Sequence, residues 1–340
     1  MSTERNHAID TYKFLLSIVI VILHSNYKFC PQGYLAVESF FIIAGFFLVK
    51  SNVISLKESI TKRLLAVGPL YIMAVFIMLV IDCAHGYFTL ATQLPLYLSG
   101  LQVLAVKSME LNFVPSVGYL WFIPVYLHIT LSFIIIIKHT GHKKFCFIAV
   151  AVFLLSIALL VYDVPYGGIN YTIEKFNQPI PIGYLRGMMS VSFGYLCGFG
   201  FECCEKNLTK HYIAYSALEL LLVGYIIWIF FQNVTQFYDF CYVISSGIFI
   251  GLICIKKGVI SQTFDVIAKS RVLRYVIQSS GAIYVVHFAF VNEYIRKYGE
   301  YVTAKNLPAI IILSISSGVI VAFLNNIILQ KMKDKGMYKK

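Results

Sequence analysis

Apolar runs of near bilayer-spanning length, each closed by polar or basic residues, recur from one end of the chain to the other. They predict ten helices, near residues 12–29, 33–49, 65–82, 118–138, 145–162, 183–201, 212–231, 239–255, 275–292 and 307–329. Outside a closed barrel, only a helix satisfies its own backbone in lipid. The expected fold class is therefore all-α: a polytopic integral membrane helical bundle of about ten transmembrane helices. Residues 1–330 read as one membrane-embedded domain and 331–340 as a basic cytoplasmic tail. One further segment, 88–106, is expected to be interfacial or re-entrant on the outer side, because Pro95 and Gly100 break it.

Composition supports this class. Hydrophobic residues make up 59% of the 340 and charged ones 13%, with a mean hydropathy of +0.77, well outside the soluble range. The net charge of +12 is no sign of a nucleic-acid partner, because the basic residues lie between the apolar runs. Their distribution orients the chain. With both termini cytoplasmic, the inner connections hold Lys50, Lys57, Lys62 and Arg63, then Lys138, Lys143 and Lys144, then Lys256, Lys257, Lys269, Arg271 and Arg274. Outer connections hold only Lys28, Lys107, Lys175, Arg296, Lys297 and Lys305. This is the positive-inside bias. The first apolar run carries Lys13 and His24 and no small-residue cleavage site follows, so it reads as a retained span. Cys30 and Cys83 both fall near the outer surface, where a disulfide is conceivable.

Ionisable residues inside a span are costly and by default functional. Lys13 and His24 stand eleven residues apart, about three turns, on nearly one helix face and roughly 16 Å apart. Glu38 lies near the outer start of the second span, at a depth close to that of His24. His287, with Tyr284 one turn deeper, lies near the outer end of the ninth. Trp121 and Arg186 open two further spans at the same side. Each has a plainer reading. Lys13 can snorkel to headgroups, Glu38 can serve only as an ion-pair partner to Arg186, and Trp121 fits an aromatic belt. His128 reads as structural. No metal is expected, because the histidines lack local ligand spacing, and no Walker loop, GxGxxG or HExxH is present.

The stretch IDTYKFLLSIVIVILHS resembles the first helix of the membrane-bound acyltransferase family 3, whose signature is Arg or Lys, ten residues, then His. Lys13 and His24 carry the match. GYLAVESFFIIAGFFLVKS resembles the family's second helix, with Glu38 two places before Phe40 and Phe41. KRLLAVGPLYI resembles its third-helix entry through Arg63 and Pro69. Later segments with Trp121, Arg186, Tyr284 and His287 also resemble the family. Two positions depart: Ala44 stands for the usual Ser and Ala66 for a second Arg.

The resemblance implies a multi-pass cell-membrane O-acyltransferase. It would move an acyl group, acetyl foremost, from cytoplasmic acyl-coenzyme A to a hydroxyl of a surface carbohydrate or glycolipid. Lys13 and Arg63 would hold the coenzyme's phosphates, His24 would act as general base and Glu38 would orient it. Trp121, Arg186, Tyr284 and His287 would meet the acceptor or the oxyanion. Two other classes compete: a proton-coupled transporter of amino acids or other small solutes, which a His–Glu pair also suits, and a catalytically silent membrane partner. A phosphate anchor at Lys13 distinguishes the enzyme from both.

Overall fold

The computed structural model describes residues 5–49, 55–84, 94–95, 97–100, 120–164, 169–171, 180–204 and 211–334. Among these lie twelve α-helices: α1 (His7–Ser25), α2 (Ala36–Phe46), α3 (Leu56–Ala84), α4 (Phe122–Thr140), α5 (His142–Asp163) and α6 (Ile182–Cys204). They continue with α7 (Tyr212–Phe230), α8 (Gln236–Ile255), α9 (Val259–Lys269), α10 (Arg271–Gln278), α11 (Ser280–Tyr298) and α12 (Leu307–Asp334). Seven of them, α1, α3, α4, α5, α7, α8 and α12, are long and apolar enough to cross a membrane. The chain is thus an all-helical polytopic membrane protein.

Three expected spans fall outside that group for physical reasons. α6 and α11 have the length but carry Gly, Ser and inward-facing polar residues such as Arg186 and His287. α2 has only 11 α-helical residues, with 3-10 turns over 33–35 and 47–49 at its ends. At 1.5 Å per α and 2.0 Å per 3-10 residue, that assembly reaches about 28 Å, close to the bilayer's hydrocarbon thickness.

Boundaries shift in two places that matter. Asn6 caps α1 by accepting the Ile9 N–H, so the helix starts earlier than expected and ends at Ser25. His24 is therefore in its last turn, not five residues inside it. α11 runs on to Tyr298, so His287 is central rather than near the end. The connection 256–274, expected to face the cytoplasm, holds α9 and the first turn of α10, which runs on to Gln278. The expectation for 88–106 lies outside the described residues apart from 94–95 and 97–100, where Gly100 takes a φ of +72°. Cys30 and Cys83 are free thiols, and Cys30 faces the Phe230 carbonyl at 3.6 Å.

α1 is central, packing on α2, α8, α9, α11 and α12. The connections fasten the bundle at two ends. At one end the Val302 N–H donates to Ser25 O at 3.0 Å, the Gln32 N–H to Phe230 O at 3.2 Å, and Arg296 Nη2 to Asp82 at 2.8 Å. At the other, Glu219 of α7 caps α9 through the N–H groups of Ile260 and Ser261, and Thr11 Oγ1 donates to Phe264 O. Burial alone would raise the Asp265 carboxyl, but Lys256 and Lys269, each 2.5 Å away, hold it below its ordinary value. That clasp is lost only as pH falls through the lowered value.

The closest helix contact is α2 on α6. An added Cβ at Gly194 would stand 2.1 Å from Ile42 O, one at Gly45 2.0 Å from Val191 O, and one at Gly198 2.5 Å from Phe46 O. Small residues permit this backbone approach, the usual basis of packing in lipid. Between α1, α2 and α8, the hydroxyls of Tyr12, Ser39, Tyr242 and Ser246 form one buried hydrogen-bonded group.

Two outcomes follow. Gly194→Leu drives a side chain into backbone and should destabilise by more than the ~1–3 kcal/mol typical of overpacking, read as a lower unfolding temperature and loss of monodisperse protein in detergent. Single cysteines at 57 or 269 in a Cys-free background should resist an impermeant reagent added outside the cell, whereas one at 305 should react. Outside labelling at 57 would reverse the orientation.

Candidate active site

Because α1 is unbroken from His7 to Ser25, Lys13 and His24 are fixed about 16 Å apart along its axis. Lys13 lines a cavity of ≈ 410 Å³. Its polar side also carries Arg5, Asp10, Arg63, Gln278 and Asn325; its aromatic side carries Phe40, Phe122, Tyr126 and Tyr284. Arg5 is tied to Asp10 at 2.5 Å. Arg63 turns along the cavity, its Nη1 donating to the Tyr126 hydroxyl at 2.8 Å. Ala44 and Ala66, the two departures from the family pattern, both line this cavity.

The aromatic side backs onto two histidines. Phe40 and Phe122 pack on the Tyr284 ring at 6.3 and 5.6 Å, and that ring lies 5.9 Å from His287. His287 Nε2 is 2.7 Å from His24 Nδ1, with the rings nearly parallel at 7°. His287 Nδ1 in turn lies 2.6 Å from the Tyr284 carbonyl oxygen. A carbonyl only accepts, so Nδ1 of His287 carries the proton. With both rings neutral, His287 Nε2 then accepts from His24 Nδ1–H, and the lone pair of His24 is placed on Nε2. One backbone carbonyl thus assigns both tautomers.

Glu38 is elsewhere. Arg186 Nε donates to its Oε1 at 2.7 Å and Ser190 Oγ to its Oε2 at 2.5 Å. The pair is sealed, with the two side chains 1% and 0% exposed. Arg186 Nη1 also donates to Tyr171 O at 2.9 Å, and the guanidinium lies 5.1 Å from the Trp121 ring and 5.6 Å from that of Tyr34. The expectation that Glu38 orients His24 is corrected: both carboxylate oxygens are held by α6, because the glycine contact sets α2 against that helix. His287, not Glu38, is the residue hydrogen-bonded to His24.

The structure therefore brings Lys13, Arg63 and Tyr284 to one cavity, pairs His24 with His287 behind it, and groups Glu38, Arg186 and Trp121 separately. Trp121, Arg186 and His287, expected at the acceptor, do not line the cavity. Arg5, Tyr126, Gln278 and Asn325 do, and sequence reasoning did not select them. Only the Asn325–Asn326 pair inside the apolar run of α12 gave a signal.

Removing one partner of a buried ion pair typically costs about 3–5 kcal/mol. Glu38→Gln should accordingly lower the unfolding temperature of the purified protein, whereas Glu38→Leu combined with Arg186→Met should recover much of that loss. A stable Glu38→Gln protein would show that the pair does not hold α2 to α6.

No curated protein and no solved structure matches the chain. The family model for the acyltransferase domain of acyltransferase family 3 matches residues 6–325, which takes in both histidines and the cavity lining except Arg5 and Asn326. The chain belongs to that family and is a membrane-embedded acyltransferase.

Proposed function

We propose that the protein transfers an acyl group, acetyl foremost, from cytoplasmic acyl-coenzyme A to a hydroxyl of a surface carbohydrate or glycolipid at the cell membrane. One observation carries the reading: a single cavity joins Lys13 and Arg63 to the aromatic wall that backs onto His24 and His287. The pantetheine arm is comparable in reach to the ~16 Å between Lys13 and His24. The residues present fit the donor, since phosphates require cations and an acyl-pantetheine chain runs well along an apolar wall.

In the reaction, the neutral His24 Nε2 takes the acceptor's hydroxyl proton as oxygen attacks the thioester carbonyl carbon. The tetrahedral intermediate collapses with cleavage of the C–S bond, and His24 returns the proton to the departing coenzyme A thiolate. His287 holds the tautomer and stabilises the transient imidazolium. Tyr284, on the cavity wall 5.9 Å from the His287 ring, donates to the developing oxyanion. No metal enters this scheme.

His24→Ala should lower acyl transfer by roughly 10²–10⁴-fold, the usual worth of a general base, with the protein still folded. His287→Gln, which keeps an acceptor for His24 Nδ1–H, should retain more activity than His287→Leu. Mass spectrometry of surface glycans with and without the chain reads the product, and unchanged acylation by His24→Ala would remove the base assignment. Lys13→Ala should weaken coenzyme A binding about ten- to a hundredfold, as expected for one charge-assisted contact, while Lys13→Arg should retain much of it. Calorimetry on purified protein measures this, and wild type that fails to bind coenzyme A at millimolar concentration would overturn the donor site.

A further inference from the structure

Beyond its cations, the cavity wall carries two neutral amide side chains whose hydrogen-bonding capacity is unmet. Nε2 of Gln278 and Oδ1 of Asn325 are buried, and no protein group among the described residues bonds to either. Both residues line the cavity that holds Lys13. Asn325 is 7% exposed and sits in the apolar run VIVAFLNNIILQ of α12, where a hydrocarbon side chain would pack without penalty. Buried polar groups in folded proteins are almost always paired, so two orphans on one cavity wall point to a ligand that completes them.

Their chemistry narrows the ligand. One orphan donates and the other accepts. A phosphate only accepts hydrogen bonds, and it would leave the Asn325 oxygen facing another oxygen. An amide offers one N–H and one C=O, the complement of this pair. Position agrees. Gln278 precedes α11 by two residues, and Tyr284 follows the first residue of α11 by about 6 Å of helix rise. Both amides thus line the same cavity as Lys13 and Tyr284. On the reading given above, which this inference rests on, the cavity takes the donor, whose pantetheine chain carries two amide bonds.

We propose that Gln278 and Asn325 read the pantetheine arm of the donor, Nε2 of Gln278 donating to an amide carbonyl and Oδ1 of Asn325 accepting an amide N–H. Lys13 and Arg63 recognise only charge. The amide pair makes the site selective for a thioester on a pantetheine chain over other polyphosphates of similar charge.

The test uses the purified full chain and two probes, coenzyme A and its adenosine bisphosphate fragment, which lacks the arm. Asn325→Leu and Gln278→Leu should each weaken coenzyme A binding about three- to tenfold, the usual worth of one neutral hydrogen bond. Neither should change affinity for the fragment, whereas Lys13→Ala should weaken both probes. Gln278→Glu, which keeps the shape and replaces the donor with an acceptor, should weaken coenzyme A as Gln278→Leu does, and it guards against a repacked core in the leucine variants. If all three variants bind coenzyme A like wild type, or weaken both probes equally, the amide assignment fails while the donor site stands. If wild type binds neither probe, the donor reading itself fails.

Discussion

The Glu38–Arg186 pair is the constraint about which this bundle is arranged. Two opposite charges withdrawn from water gain from each other only when geometry is close and their remaining bonds are filled. Here Ser190 fills the second carboxylate oxygen, Tyr171 O takes another guanidinium N–H, and Trp121 and Tyr34 cover the guanidinium, with only Arg186 Nη2 lacking a partner among the described residues. None of this forms unless α2 and α6 approach backbone to backbone. Gly45, Gly194 and Gly198 supply that approach. The glycines and the ion pair are thus one device: the first sets the separation, and the second fixes rotation and register along it.

Tyr284 links the two remaining parts of the site. Its ring forms part of the cavity wall, and its carbonyl oxygen holds the proton on His287 Nδ1. That second contact settles which nitrogen of His24 carries a lone pair, through a histidine on another helix. A carboxylate in the same place would attract a proton and favour the imidazolium in the resting state. A neutral imidazole backed by a carbonyl brings no such charge into a largely apolar layer.

Much of the architecture was legible because lipid leaves few alternatives. Each of the ten expected spans overlaps a helix, since an apolar run of that length has no other way to satisfy its backbone. The ends were less legible. Asn6 moved the start of α1 through a side-chain cap, and α11 outran its apolar stretch because Arg296 is anchored by Asp82, a contact between residues 214 positions apart. For the site, spacing along one helix sufficed to relate Lys13 to His24. It could not relate Glu38 to Arg186 or His24 to His287, because those pairings depend on helix rotation, which depth alone does not encode. α9 and α10 escaped notice for another reason: both are short and amphipathic, and α10 is basic, so by composition they resemble a polar connection.

The two departures from the family pattern acquire a physical meaning from their position. Ala44 and Ala66 replace a hydroxyl and a guanidinium on the wall of the same cavity. The wall is left more apolar and its polar side carries one cation fewer than the pattern provides. Arg5, Lys13 and Arg63 remain there against the single carboxylate of Asp10, and Arg5 is engaged by that carboxylate. The excess positive charge therefore rests on Lys13 and Arg63. Arg63 donates to the Tyr126 hydroxyl, and Lys13 lines the same cavity from α1. A cationic wall of this kind attracts anions by charge alone, and selectivity among them falls to the neutral groups beside it.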